Sequence, residues 1–142
     1  MRFMMLLKAD ANTEAGTLPT EEDLATMAKY NDQLARAGVL LDGAGLQPSS
    51  KGAKIRLEKG DPRVIDGPFT ETKELVAGYW MIDVKSKEEA IEWARRAPWH
   101  MLPAEGRAPE IEIRQMFELE DFEQGEAVEE HRRIWESVAK PT

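Results

Sequence analysis

Two stretches of this chain alternate with a period of two residues yet are apolar on both alternating faces, and this narrows the fold more than any other feature. In Arg2 to Lys8, Phe3, Met5 and Leu7 point one way while Met4 and Leu6 point the other. In Leu75 to Val84, Val76, Trp80, Ile82 and Val84 share one face and Ala77, Tyr79 and Met81 the opposite one. Strands of this kind belong inside a sheet whose two faces are both covered. The first run, Phe3 to Leu7, is closed by Lys8 and Asp10 and is too short for a signal sequence or a membrane span. The expectation is a soluble, cytoplasmic protein with no membrane partner.

The segments between these strands supply the rest of the topology. Thr20 with Asp23 three residues on reads as a capping box. Leu24, Met27, Ala28, Asn31, Leu34 and Ala35 then recur at helical spacing until Gly38 offers a C-cap. Val39 to Leu46 follows as a short strand interrupted by Gly43 and Gly45. Ala53 to Glu58 and Arg63 to Asp66 form a hairpin around the turn Lys59-Gly60-Asp61-Pro62, with the look of an insertion. Ser86 and Glu89 form a second capping box, opening a helix that Pro98 stops. Ile111 to Leu119 reads as the last strand and His100 to Pro109 as a surface loop. Residues 1–120 thus make one domain, and 121–142 a helical extension from about Glu126 to Ala139 with Val128, His131, Ile134, Trp135 and Val138 on one stripe.

With the hairpin set aside, the order is βαββαβ, an α+β ferredoxin-like subunit with both helices on one face of an antiparallel sheet. The other sheet face then needs a dry partner, and a second copy packed face to face would supply it. The expectation is a homodimer, with the C-terminal helix folding over that face or reaching across to the partner.

Composition removes several functions. Nineteen Lys and Arg against 27 Asp and Glu leave a net charge of −8 on 142 residues, which disfavours nucleic acid as a partner. With no Cys there is no thiolate nucleophile, disulfide or Cys-based metal site. The two His, His100 and His131, have no metal-ligand spacing, and no phosphate-binding, GxSxG or HExxH motif occurs. No cofactor and no metal are expected.

The stretch without periodicity is Asp66 to Glu74, DGPFTETKE. Read structurally, Asp66, Gly67 and Pro68 make a turn and Phe69 anchors it in the core. Read functionally, Asp66, Glu71 and Glu74 place three carboxylates beside Lys73 at a pocket mouth, where like-charge crowding favours raising one of them toward the range of a general base and Lys73 pulls the other way. Candidate binding residues around it are Phe69, Trp80, Tyr30 and His100. Tyr30 and Trp80 also suit a helix edge and a core, and His100 an exposed loop.

DGPFTETKE, followed by AGYWMIDV, SKEEAIEWARRAP and EIEIRQMFE, resembles the DGPF branch of the YCII-related protein family over about residues 1–120. The resemblance implies a dimeric α+β barrel. It also implies an association with extracytoplasmic-function sigma factors, near whose genes such proteins are often encoded. One member of the wider family removes chloride from a chlorinated hydroxyquinol without a redox cofactor, and a His–Asp dyad has been suggested for others. Here Met27 and Ala97 stand where that His and Asp are expected, so the dyad does not carry over.

The resulting expectation is a small-molecule-binding protein. Its possible chemistry is cofactor-free isomerisation or elimination, with Asp66 as base, Lys73 stabilising an enolate oxygen, and Glu71 or Glu74 tuning both. The alternatives are a ligand-sensing or protein-interaction module without turnover, and a motif that only maintains the fold.

Overall fold

A computed structural model describes residues 1–70 and 74–139. Strands β1 (Arg2–Lys8), β2 (Leu40–Gly45), β5 (Val76–Asp83) and β6 (Ile111–Gln115) form one antiparallel sheet in the order β2-β5-β1-β6. The doubly apolar strands β1 and β5 are the two central ones, as their sequence requires. Helices α2 (Glu21–Arg36) and α3 (Lys87–Arg95) connect the strands in the ferredoxin-like sequence. A short helix α1 (Ala11–Glu14) precedes α2, strands β3 (Ala53–Glu58) and β4 (Asp61–Asp66) form a separate two-stranded ribbon, and α4 (Glu126–Val138) ends the described chain. No helix among the described residues is long and apolar enough to cross a membrane.

Register decides which side chains are buried. Phe3 lies opposite Ile82, and Met5 opposite Trp80 on one side and Ile113 on the other. Phe3, Met5 and Ile82 are fully buried with Leu34 of α2 and Ala90 and Ala94 of α3. Burying such side chains is the main favourable term in folding. The opposite face, with Met4, Leu6, Ala77, Tyr79 and Met81, is only half-buried within one chain.

Thr20 and Asp23 form the reciprocal capping box of α2, and Gly38 takes the left-handed backbone just past its end. Four expectations are corrected. The ribbon turn is two residues, Lys59 and Gly60, both at positive φ, so Asp61 and Pro62 belong to β4 opposite Glu58 and Leu57; paired positive φ values match strand twist, and an edge strand tolerates proline. Ser86 caps α3, but the Glu89 carboxylate accepts from Lys85 N–H rather than closing the box. The last strand stops at Gln115, short of the expected Leu119, and residues 119–121 form a 3-10 helix instead. The loop after α3 is not wholly superficial: it contains a 3-10 turn at Trp99–Met101 and the buried Leu102.

Candidate functional site

A partly open cleft of about 900 Å³ lies between the sheet, the first turns of α2, the α1 segment and the loop 101–105. Its floor is Gly78 and Trp80 of β5 with the end of β2 from Gly43 to Gly45. Gly78 lets the strands approach closely there: a Cβ would lie 3.0 Å from the Ala44 carbonyl oxygen of the neighbouring strand, which would have to give by a few tenths of an ångström. Leu24, Met27 and Leu40 contribute apolar surface.

Trp80 is buried and fixed on two sides. Its indole Nε1 donates to Asn31 Oδ1 at 2.8 Å, and its ring meets Tyr30 edge-on at 5.6 Å between centroids. Tyr30 in turn donates its hydroxyl to the Trp93 carbonyl at 2.7 Å, tying α2 to α3, and burial raises its pKa. Asn31 faces the cleft, and with Oδ1 committed to Trp80 its amide N–H₂ is left to donate.

Asp10 forms the opposite wall. It is 3% exposed, follows β1 and caps α1 by accepting from Thr13 N–H at 2.8 Å. Its second oxygen accepts from Glu105 N–H at 2.9 Å, which fixes the far loop against the end of β1. Burial alone would push this carboxyl up, but the backbone N–H groups of Glu105, Thr13 and Ala104, with the Thr13 hydroxyl, hold it below the usual carboxylate range. Asp23 and Glu105 add two further carboxylates to the lining, and no Lys, Arg or His lines the cleft among the described residues.

The DGPF stretch stands behind this wall. Ser49 donates through both its backbone N–H and its hydroxyl to the Glu14 carboxylate at the end of α1, and the same hydroxyl accepts from Phe69 N–H at 2.9 Å. Gly67 packs so closely on the 49–50 turn that a Cβ would overlap the Ser49 carbonyl oxygen, and its N–H donates to the Gly52 carbonyl at 3.1 Å. The motif therefore latches the base of the ribbon to α1, and α1 carries the Asp10 wall.

The sequence-predicted residues divide accordingly. Trp80 lines the cleft and Tyr30 buttresses it. Asp66 is exposed at the end of β4, opposite Ala53. Phe69 and Glu74 line a smaller recess of about 330 Å³ with Lys54 and Arg56, where the Lys54 ammonium lies 4.3 Å from the Phe69 ring centre. His100 is exposed on the 3-10 turn. Glu71 and Lys73 lie outside the described residues. Sequence reasoning passed over Asp10, Asn31 as a cleft group, and Glu105. The available signal was Asp10 with Thr13 three residues on, immediately after a strand.

The YCII-related domain model matches residues 1–116. An uncharacterised protein of Rhizobium meliloti (strain 1021) is 37% identical over 97 residues, 67% of this chain and 78% of that protein. Among solved structures, 5-chloro-2-hydroxyhydroquinone dehydrochlorinase of Burkholderia phenoliruptrix AC1100, in complex with 2,5-dihydroxybenzoquinone, aligns with a TM-score of 0.44 at 13% identity. That alignment covers 82% of this chain and 94% of the other. By the extent of the family match and the identity of the Rhizobium relative, the chain belongs to the YCII-related domain family.

Proposed function

We propose that the protein binds a small organic molecule, neutral or cationic with an apolar body, in the cleft between α1, α2 and the sheet. The observation that carries this reading is the lining itself: Trp80, Leu24, Met27 and Leu40 supply apolar and aromatic surface, and among the described residues the lining holds carboxylates and no basic side chain. Trp80 lines the floor, the Asn31 amide offers a donor, and the Asp10 carboxylate, held by the Thr13 and Glu105 N–H groups, adds a fixed negative charge to the wall. An anionic molecule would meet only like charge in these side chains.

The same features favour binding over turnover. A general base works best with a pKa near the operating pH. Asp10 is displaced in the opposite direction, and Asp66 is exposed outside the cleft lining. A carboxylate-driven isomerisation or elimination is accordingly the second reading. The half-buried outer sheet face, with Met4, Leu6 and Met81, supports a homodimer packed across it.

The test is a thermal-shift and tryptophan-fluorescence screen with matched aromatic fragments bearing an amine, no charge, or a carboxylate. Amine and neutral fragments raise the melting temperature and change the tryptophan emission, while carboxylates do neither. Met27→Trp, which fills the cleft, abolishes both responses. Carboxylate-selective hits, or hits that survive Met27→Trp in a folded protein, overturn the reading.

A further inference from the structure

Among its described residues, the stretch from Asp66 to Glu74 contributes nothing to the cleft lining. Phe69, Thr70 and Glu74 instead join Lys54, Arg56 and Leu75 around the smaller recess of about 330 Å³. The two spaces have opposite chemistry: the cleft holds carboxylates and no cation among the described residues, while the recess holds two cations against one carboxylate. In a chain of net charge −8, that is a local reversal of sign.

The ribbon sets the cations in place. Lys54 and Arg56 are two residues apart on β3 and project from one face, and the register puts Arg63 directly opposite Arg56 on that same face. Like charges facing each other across a strand pair are destabilising, and a local rule broken in this way marks a candidate functional position. Compensation is incomplete. Glu58 is shared by Arg56 at 4.0 Å and Arg63 at 3.7 Å, and Arg63 also approaches Asp61 at 4.0 Å. Lys54 forms no ion pair among the described residues and lies 4.3 Å from the centre of the Phe69 ring. The ring attracts the ammonium through its quadrupole but carries no net charge, so the positive charge remains. Phe69 is itself held, because its N–H donates to the Ser49 hydroxyl at 2.9 Å.

We infer that this recess is a second ligand site, which takes the oxyanion of a small phosphorylated or carboxylated molecule. Arg56 supplies a planar fork of N–H donors, Lys54 a compact charge held against an aromatic ring, and Thr70 a hydroxyl from the facing segment. An anion bridging Arg56 and Thr70 ties a two-stranded ribbon, an element marginal by itself, to the chain that enters β5. Glu74 repels the same anion and so fixes the sign of one test. The inference is independent of what the cleft binds.

The test is titration of the full chain with inorganic phosphate and, separately, with malonate, at constant ionic strength against chloride, read by calorimetry and thermal shift. Saturable binding is expected, a preference for phosphate identifying a phosphorylated source and a preference for malonate a carboxylated one. K54Q and R56Q, which replace exposed side chains and keep the wild-type circular dichroism, each weaken binding about tenfold, the loss expected for one charge-assisted hydrogen bond. E74Q tightens it. R133Q on α4 and Met27→Trp in the cleft leave it unchanged. The inference is overturned if neither anion binds saturably, if folded K54Q and R56Q bind as the wild type does, if R133Q weakens binding as much as they do, or if E74Q weakens it. Loss of anion binding in Met27→Trp puts the anion in the cleft and overturns it too.

Discussion

Helices α2 and α4 carry the same kind of apolar stripe, yet α2 buries Tyr30 and Leu34 in the chain's own core while α4 leaves most of its stripe in solvent. In α2, Leu34 is fully buried and Tyr30 reaches α3 through its hydroxyl. In α4 only Val128 is buried, and Trp135 is 59% exposed. Amphipathic spacing therefore states that a face seeks cover without stating which molecule supplies it. The difference lies in what surrounds each helix: α2 is bracketed by two sheet strands, whereas α4 follows the last one.

The sharpest way to measure this difference is to truncate the two stripes in turn. Leu34→Ala opens a cavity in the core and lowers unfolding free energy by about 2–5 kcal/mol in urea denaturation. Next comes Gly67→Ala, which forces the latch off the 49–50 turn and costs about 1–3 kcal/mol. The same change weakens fragment binding in the cleft, because the α1 wall is displaced; unchanged binding would detach the latch from the cleft.

Asp10→Ala removes a cap and the tie to the 105 loop, at about 1–2 kcal/mol at neutral pH. Because the folded-state carboxyl is held below its ordinary range, its contribution is fully present above the unfolded value of about 4 and is lost as pH falls through the lowered folded value. The stability gap between wild type and Asp10→Ala therefore closes on acidification, and a gap that widens would contradict this account. Smallest is Trp135→Asp on α4, which leaves stability in urea denaturation within about 0.5 kcal/mol of wild type.

Much of the fold was legible because it depends on local pattern. Thr20 with Asp23, Gly38, and the doubly apolar β1 and β5 mark positions that the structure keeps. Errors arose where a neighbour overrides local chemistry. Pro62 looked like a turn residue, yet the left-handed pair Lys59-Gly60 closes the ribbon earlier and places it in an edge strand. The site was less legible. Trp80 and Tyr30 were visible as aromatic residues near a helix and a strand, but Asp10 is buried by a loop some 95 residues away in sequence, which no short window contains. Asp66 stood out through its motif, and the neighbouring Gly67 and Phe69 are placed by contacts with Ser49 that spacing cannot reveal.

The Glu14–Ser49–Phe69 chain of hydrogen bonds has a mechanical corollary. The base of the ribbon and one wall of the cleft are clamped to the same serine, so they behave as two arms of one lever with Ser49 at its fulcrum. Any coupling that this serine carries from the ribbon to the wall is reciprocal: an occupant of the cleft then acts back on the ribbon with the same coupling energy. Ser49→Ala is the cut that would let the two arms move apart.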